Sequence, residues 1–232
     1  ENRRLFLEAL EKQKLEEELD IAREIQRNLL PQKIPDYKNF DIVGVNVSSK
    51  QVGGDYYDII ELENENCCIA IADVSGKGVP ASLLMANMQA FLQVICRQNI
   101  PLATATGLIN DLISKNTSDG RFITFFWGIL NDETKTFNYV NAGHKPTLLV
   151  RNGIITKLEI GGMILGVMKT VVPYKSESVQ LQKDDVLVMF TDGISEAMNK
   201  KGEEFSDESL EKISLEMANE SAENILKRIQ SE

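Results

Sequence analysis

The sequence predicts an α+β sandwich, because it contains many short strand-like runs with helical segments segregated between them. The strongest strand signal is Asn152-Gly153, which stands between two apolar runs and favours the type I′ turn of a β-hairpin. With 232 residues, 43% of them apolar and 26% charged, the chain has the length and composition of one good-sized domain with a short appendage.

Residues 1–30 are predicted to form one long helix, because they contain neither Gly nor Pro and are rich in Glu, Lys, Arg and Leu. Pro31 and Pro35 end it. Five of the eight positions along one heptad register are apolar, which allows a modest coiled coil or a helix packing its stripe on its own domain. The helix has no capping signal at its start, so we expect it to continue a longer protein. The register comprises Leu5, Glu8, Lys12, Leu15, Leu19, Ala22, Gln26 and Leu29.

Strand-like runs follow this helix from near Phe40. Each is predicted either by alternating apolar and polar residues or by a short apolar run between turn residues. The runs cover residues 40–47, 56–62, 67–72, 122–130, 136–140, 147–151, 154–158 and 186–190.

Three further helical segments are expected between or after the strands. Pro80 stands where the first turn of a helix would begin. Residues 81–96 are apolar on almost every side, so this helix should lie between two packing partners. A second helix, at about 102–115, follows Pro101, and the tail from Asp207 onward is helical.

Three Asp residues stand at the ends of apolar runs, each close to glycine: Asp55, Asp73 and Asp192. A carboxylate at a strand end is held rigidly, and neighbouring glycine lets backbone or a ligand approach closely. Carboxylate oxygens suit hard cations such as Mg²⁺ and Mn²⁺. The three together suggest an oxygen-only metal site and metal-assisted chemistry on a phosphate, whereas each alone is typical of a turn.

The formal net charge of −10 disfavours non-specific binding of nucleic acid, since proteins with that function are usually basic. It suits a phosphate substrate only if bound cations neutralise the site. No apolar run approaches the ~20 residues of a membrane span, and the charged N-terminus lacks a secretory signal. We therefore expect a cytoplasmic protein that inserts into no membrane.

Cysteine and histidine offer little chemistry. Cys67, Cys68 and Cys96 form a poor disulfide framework, being odd in number with two adjacent, and are expected to be buried reduced thiols. With no Cys-x-x-Cys motif and a single His, a zinc site is disfavoured. The one histidine of the sequence, His144, has three possible roles, as a general acid, as a contact to phosphate or as a structural hydrogen-bonding residue.

Two residues of the glycine-rich turn after Asp73 are candidates for function, Lys77 for phosphate binding and Ser75 as a nucleophile, and the sequence favours neither. Lys77 is neither preceded by Gly six residues earlier nor followed by Ser or Thr, so the phosphate-loop pattern is absent. Ser75 has no base near it in sequence and is expected to shape the turn.

Six stretches taken together carry a resemblance that runs from about Ile21 to the C-terminus. In order they are IQRNLLP at 25–31, VGGDYYD at 52–58, ADVSGKGVPASL at 72–83, ITFF at 123–126, NAGH at 141–144 and FTDGISEA at 190–197. The combination resembles the PPM family of metal-dependent serine/threonine phosphatases, in its bacterial SpoIIE/RsbU branch.

The resemblance implies an αββα sandwich, two antiparallel sheets flanked by helices, with two Mn²⁺ or Mg²⁺ ions at one end. By motif, Asp55 corresponds to a metal ligand, Asp73 to the Asp that bridges both ions, Val74 to a ligand through its backbone carbonyl, and Asp192 to a further ligand. His144 would be auxiliary. No protein side chain is the nucleophile, because a hydroxide between ions ~3.5–4 Å apart attacks the phosphorus.

Two departures from the family pattern follow. The family closes with a strand carrying Asp-Asp-x-Thr, and the sequence up to Glu232 lacks it, since Asp184-Asp185 precedes Asp192. The resemblance therefore implies either that the C-terminal end of the domain is missing from this chain or that the protein is metal-deficient. In both cases we expect weakened or absent metal binding in this chain, even if the parent enzyme is active. Some members hold the substrate phosphate with an Arg before the first metal Asp, and the nearest basic residue here, Lys50, is a poor replacement.

The resemblance also implies an organisation and partners. Residues 1–30 would be a helical coiled-coil linker and residues 31–232 the phosphatase domain, with an upstream sensor domain in the parent chain. The substrate would be a phosphorylated STAS-domain protein, an anti-anti-sigma factor in partner-switching signalling. Our hypothesis is that residues 1–30 form a parallel homodimer and bias the helix at Pro80, shifting Asp73 and Val74. The alternative is a catalytically silent dimeric module that binds a phosphoprotein.

Overall fold

The computed structural model of the chain describes residues 2–47, 51–117, 120–199 and 202–231. The helices in these ranges are α1 (Asn2–Leu29), α2 (Val79–Ile95), α3 (Leu102–Asn116), α4 (Asp192–Ser195), α5 (Asp207–Glu216) and α6 (Ala222–Gln230). The strands are β1 (Tyr56–Glu61), β2 (Asn66–Val74), β3 (Ile123–Asn131), β4 (Thr136–Ala142), β5 (Thr147–Arg151), β6 (Ile154–Leu158), β7 (Gly161–Gly162), β8 (Glu177–Gln180) and β9 (Val186–Val188).

The strands form two sheets. The larger sheet has the order β1-β2-β3-β4-β7, with β8 also paired to β4, and the smaller has the order β6-β5-β9. All pairs are antiparallel except the short pair of β4 with β7. The turn between β5 and β6 has positive φ at both Asn152 and Gly153, which is the type I′ geometry that the dipeptide predicts.

Alternation along β3 divides the interior into two cores, because successive strand residues point to opposite faces of a sheet. Phe125 and Trp127 face α2 and α3 and stack with ring centroids 5.9 Å apart. Phe126 faces the smaller sheet and stacks on Tyr139 at 5.3 Å. The larger sheet is therefore buried on both faces, by helices on one side and by β5 and β6 on the other.

A third apolar cluster covers the outer face of the smaller sheet. Leu148 and Val188 from that sheet pack with Phe190 and with Leu210 of α5. The order of layers is thus α2 and α3, the larger sheet, the smaller sheet, and α5. This arrangement confirms the predicted αββα sandwich.

The prediction of a strand over residues 40–47 is wrong, because these residues pair with no strand in the described part of the chain. Every second residue is partly buried, and Phe40 and Ile42 pack on the core between the sheets. The segment is held by side chains: Tyr57 Oη donates to the Gly44 carbonyl at 3.1 Å, and Asn46 Nδ2 donates to the Asp55 carbonyl at 3.2 Å. Alternation predicts which residues are buried, but a strand also needs a partner edge.

Other boundaries differ by a few residues. β2 continues through Asp73 to Val74, because β3 supplies partners for both, whereas a strand ending before Asp73 was expected. β9 ends at Val188, two residues short of the prediction, and Asp192 begins the short helix α4. Pro80 lies in the first turn of α2, as predicted.

The helix α1 is exposed for most of its length and joins the domain at its C-terminal end. Gln26 is its buried residue, and Leu29 packs on the core beneath α2. Most leucines nearer the N-terminus are exposed, with Leu5 at 52% and Leu15 at 57%, and Leu19 is partly exposed. No helix in the described ranges is both long enough and apolar enough to cross a bilayer.

Candidate active site

The three carboxylates singled out from the sequence lie at one end of the sandwich. Asp55 immediately precedes β1, Asp73 is the penultimate residue of β2, and Asp192 is the first residue of α4. The antiparallel register of β1 and β2 places the start of β1 beside the end of β2, and therefore Asp55 near Asp73. A Cβ built on Gly193 would stand 3.8 Å from Asp55 Oδ2, so α4 brings Asp192 to the same place.

The carboxylates interact electrostatically. Burial, and then the charges of Asp55, Asp192 and Glu196, raise the pKa of Asp73 to about 6. The pKa of Asp55 is also raised, first by burial and then by Asp192, while a hydrogen bond with Thr191 partly offsets the rise. Such shifts arise when like charges share a poorly solvated site without a compensating cation.

One atom in this group lacks a partner. Asp55 Oδ1 is buried and accepts a hydrogen bond from none of the residues that the structure describes, an arrangement that costs free energy unless another group satisfies the oxygen. The donor set of carboxylates and the nearby Val74 carbonyl fits a hard divalent cation. Across residues 2–47, 51–117, 120–199 and 202–231, however, no three His, Cys, Asp or Glu side chains form a ready-made metal site. The carboxylates are grouped without completing a coordination set.

Close packing at Gly54 explains why glycine precedes Asp55. A Cβ at this position would lie 2.7 Å from the Val74 carbonyl oxygen and 3.4 Å from the Cβ of Ala81 in α2. Only glycine lets the chain pass this close to another backbone. The loop that carries Asp55 is therefore pressed against the end of β2 and the first turn of α2.

The turn between β2 and α2 has a structural role. Gly76 and Gly78 have φ of 97° and 74°, a region that favours glycine. Ser75 joins the turn to the start of β3, since its N–H donates to the Phe122 carbonyl at 2.9 Å and its Oγ accepts from the Phe122 N–H at 2.8 Å. Lys77 is exposed. Ser75 thus shapes the turn, in agreement with the sequence-based expectation.

His144 joins β3, the strand paired with the one that carries Asp73, to the residues just before Asp192. Its Nδ1 lies 2.8 Å from Thr124 Oγ1, in the residue paired with Asp73, and its Nε2 lies 3.1 Å from the Phe190 carbonyl. Because a carbonyl only accepts, Nε2 carries the hydrogen and Nδ1 accepts from the Thr124 hydroxyl. Burial lowers the pKa of His144 to about 4, so the ring is a neutral cross-link. Of the three roles left open, this geometry favours the structural one.

Two side chains of this region escaped the sequence-based prediction. Gln26 lies on the heptad register as a polar position, yet it hydrogen-bonds both backbone groups of Gly53, two residues before Asp55. Lys145 reaches Ser195 in α4 and Asp207 in α5. The partners of both are distant in sequence, so no local pattern marks them. Lys50, the candidate contact for a substrate phosphate, lies outside the described residues.

Solved structures with the same fold are similar to the chain over most of its length. The SiaA-PP2C domain of Pseudomonas aeruginosa has a TM-score of 0.76 at 18% identity, covering 96% of this chain and 90% of that one. The PP2C phosphatase domain of SpoIIE from Bacillus subtilis, solved with a fragment of its regulatory domain, has a TM-score of 0.61 at 23% identity and covers 76% of this chain and 52% of that one.

Sequence comparison identifies the family. Residues 63–232 match the family described as Stage II sporulation protein E (SpoIIE). The phosphoserine phosphatase RsbU of Bacillus subtilis is 32% identical over 192 residues, 82% of this chain and 57% of RsbU. The phosphoserine phosphatase RsbP of the same organism is 26% identical over 182 residues, 76% of this chain and 45% of RsbP. The chain thus spans about half the length of these relatives, and it belongs to the SpoIIE family, with the fold of the PP2C-type phosphatases.

Proposed function

We propose that this chain hydrolyses phosphoserine or phosphothreonine on a regulatory protein, with bound divalent cations. The observation that carries the proposal is the grouping of Asp55, Asp73 and Asp192, in which the buried Oδ1 of Asp55 has no partner among the described residues. Asp55, Asp73, the Val74 carbonyl and Asp192 would hold two ions, Mn²⁺ or Mg²⁺. When bound, such ions activate water and offset charge on the phosphoryl oxygens.

The chain's own residues would prepare this site in three ways. Because Gly54 has no side chain, the Asp55 loop packs closely on Val74, and the backbone pairing of β2 with β3 fixes the position of Asp73. The neutral imidazole of His144 would hold β3 and the residues before Asp192 together without adding a positive charge. In this proposal no side chain is the nucleophile.

The direct test is hydrolysis of p-nitrophenyl phosphate and of a phosphoserine peptide without Mn²⁺ and over a range of Mn²⁺ concentrations high enough to fill a weak site. We expect Mn²⁺-dependent hydrolysis that Asp73→Asn reduces at least about a hundredfold, because loss of a metal-binding carboxylate removes most electrostatic stabilisation of the transition state. Asp184→Asn is the matched control, since Asp184 is an exposed turn residue away from the site. Equal rates in wild type and Asp73→Asn would reject the proposal.

A second candidate function is a catalytically silent module that binds a phosphoprotein. It is favoured by one observation, that the carboxylates of the described residues do not complete a coordination set. The two functions separate in one experiment: a silent module would retain a phosphorylated partner on a column without releasing phosphate, at any concentration of Mn²⁺.

For the substrate we propose a phosphorylated STAS-domain protein in partner-switching signalling. The support comes from relatives: RsbU and RsbP are named phosphoserine phosphatases, and a related structure contains RsbU and RsbW domains of Rv1364c from Mycobacterium tuberculosis. Release of radiolabelled phosphate from a phosphorylated STAS protein, compared with a phosphorylated unrelated protein, tests this choice.

For regulation we propose that residues 1–30 form a homodimeric coiled coil that controls the site. The exposed leucines of α1 are available to a second copy, and Gln26 near the end of the helix binds the loop that carries Asp55. Gln26 Nε2 donates to the Gly53 carbonyl at 2.7 Å and lies 3.5 Å from Met85 Sδ in α2. A twist of α1 would therefore act on the Asp55 loop and on α2 together.

A further inference from the structure

A lysine on the loop after β4 contacts the two helices that follow the smaller sheet. Lys145 Nζ donates to Ser195 Oγ at 3.0 Å and to both carboxylate oxygens of Asp207 at 2.8 and 3.0 Å. Its ammonium also lies 5.6 Å from the centroid of the Phe190 ring. The Lys145 side chain is 31% exposed, so these contacts form in a partly desolvated place, where charged hydrogen bonds are stronger than at an open surface.

These contacts continue to Asp192. Ser195 is the buried residue of α4, and its hydroxyl donates to the Asp192 carbonyl at 3.3 Å while accepting from Lys145. A hydroxyl can donate once and accept at the same time, so the two bonds are compatible. The main chain of α4 is thereby held to the loop after β4 at the residue that carries the predicted metal-binding side chain.

The short helix needs such support. α4 has four residues, and its N-cap, Thr191, makes no capping hydrogen bond from its side chain. A single turn has little stability of its own, because nucleating a helix fixes several residues for few hydrogen bonds. The orientation of Asp192 therefore depends on contacts from outside the helix.

Two consecutive residues supply those contacts from both sides of Asp192. His144 hydrogen-bonds the Phe190 carbonyl, two residues before Asp192, and Lys145 bonds Ser195, three residues after it. The partner of Lys145, Asp207, begins α5 and lies next to Ser206, whose N–H donates to the Ser195 carbonyl at 2.9 Å.

We infer that Lys145 is a positioning residue, which orients Asp192 toward Asp55 and Asp73 by binding Ser195 and Asp207. The inference rests on the proposed function, in which Asp192 binds a metal ion. Lys145 itself touches neither metal nor substrate in this scheme, and its cation is occupied by Asp207.

The test is Lys145→Met, which keeps most of the apolar side chain and removes the cation. Mn²⁺ binding, measured by titration calorimetry on the full chain, is expected to weaken about tenfold, the usual size of an effect on groups that orient metal ligands. The Mn²⁺ concentration for half-maximal hydrolysis should rise by the same factor. Lys145→Arg, which keeps the charge, should restore at least half of the lost affinity.

Lys157→Met is the matched control. Lys157, which lies on β6, forms a comparable ion pair with Glu211 of α5 at 2.8 Å. It should leave Mn²⁺ affinity unchanged. If Lys157→Met weakens Mn²⁺ binding as much as Lys145→Met does, or if Lys145→Met binds Mn²⁺ like wild type, the inference is wrong.

Ser195→Ala covers the case in which Lys145→Met fails to fold, because it removes the link to Asp192 and leaves the pair of Lys145 with Asp207. It should weaken Mn²⁺ binding by a similar factor, and wild-type affinity would overturn the inference. Asp192→Asn distinguishes the proposed metal-binding role of Asp192 from the positioning role of Lys145. If Asp192→Asn retains full Mn²⁺ binding, the proposed role of Asp192 fails; if it loses binding while Lys145→Met and Ser195→Ala do not, only the positioning role fails.

Discussion

Gln26 of α1 holds Gly53 by both of its backbone groups: Nε2 donates to the carbonyl at 2.7 Å, and Oε1 accepts from the N–H at 3.1 Å. The two bonds fix the amide orientation of Gln26 as well as the path of the chain two residues before Asp55. The contact explains why a polar residue occupies a buried position on an otherwise exposed helix.

Replacing Gln26 by Ala should therefore affect both stability and catalysis. It leaves the two partly buried backbone groups of Gly53 without this partner, for which we expect a loss of about 1–3 kcal/mol in the free energy of unfolding. Hydrolysis should fall because the Asp55 loop is less ordered. The control is Gln13→Ala, since Gln13 hydrogen-bonds Glu17 on the exposed part of the same helix. Urea denaturation and Mn²⁺-dependent turnover measure the two effects; equal behaviour of both variants would contradict the prediction.

Gly54→Ala should damage the site through its backbone. The added Cβ would stand 2.7 Å from the Val74 carbonyl, so either the Asp55 loop or the end of β2 has to move. We expect a loss of about 1–3 kcal/mol in stability and weaker Mn²⁺ binding in calorimetry. Gly107→Ala in α3 is the control, because its Cβ would meet Thr170 at an ordinary 3.5 Å and Ala favours a helix. A fully stable, metal-binding Gly54→Ala would show that the close approach is unimportant.

His144 should remain neutral across the physiological range. Burial lowers its pKa to about 4 from an ordinary 6.5, and as the only His of the chain it gives a single imidazole signal in NMR spectra. We expect no titration of that signal above pH 5 in folded, metal-free protein. A midpoint near 6.5 would mean that the ring is exposed and that its hydrogen bonds to Thr124 and Phe190 are not formed.

The raised pKa of Asp73 predicts an unusual pH dependence of stability. Its folded-state pKa is about 6, above the ordinary 3.8, so the folded protein binds this proton more tightly than the unfolded chain. By linkage, the unfavourable contribution of Asp73 is complete above pH 6 and is relieved as the pH falls toward 4. Because Asp73 is partly exposed, we expect a gain of about 1 kcal/mol between pH 7 and 5 in metal-free protein.

Comparison with Asp73→Asn isolates that contribution, since Asn cannot titrate. His144 acts in the opposite direction, because its folded-state pKa is lowered and its contribution is lost as the pH falls through 6.5 toward 4, but it is present in both proteins. Thermal unfolding in chelator at pH 7 and 5 gives the difference. If wild type does not gain relative to Asp73→Asn at pH 5, the carboxylates do not share a poorly solvated site.

Charge on the heptad register of α1 should disrupt the proposed coiled coil. Leu15→Glu combined with Leu19→Glu places charges along the predicted seam, and we expect a dimer to become a monomer in sedimentation, with an altered rate of hydrolysis. Ile21→Glu is the control, because Ile21 is 60% exposed and lies off the register. If the double variant changes neither oligomeric state nor rate, the linker hypothesis is wrong.

The sequence predicted the layers well because periodicity reports burial directly. The apolar run of β3 and the Asn152-Gly153 turn both have the structure that local rules require. Residues 40–47 show the limit of such rules: the alternating residues are partly buried as predicted, but pairing depends on a neighbouring edge that local sequence does not specify.

The site was predicted in part for a related reason. The three carboxylates are marked by strand ends and glycines, and the fold brings them to one end of the sandwich. Gln26 and Lys145 could not be found in this way, because their partners lie 27 and 50 or more residues away in sequence. The sequence also leaves the role of His144 undecided, because its hydrogen-bond partners Thr124 and Phe190 are known only from the folded structure.

The unequal attachment of the three carboxylates has a consequence for control. Asp73 lies in a sheet strand: it pairs with Thr124 of β3, and its neighbour Ala72 pairs with Tyr56 of β1, so its backbone is the least adjustable part of the site. Asp55 and Asp192 stand outside the sheets and are secured by side chains from Gln26, His144 and Lys145. A regulatory signal that altered these side-chain contacts would therefore move Asp55 and Asp192 while Asp73 stayed in place, and so change the distances between the three carboxylates.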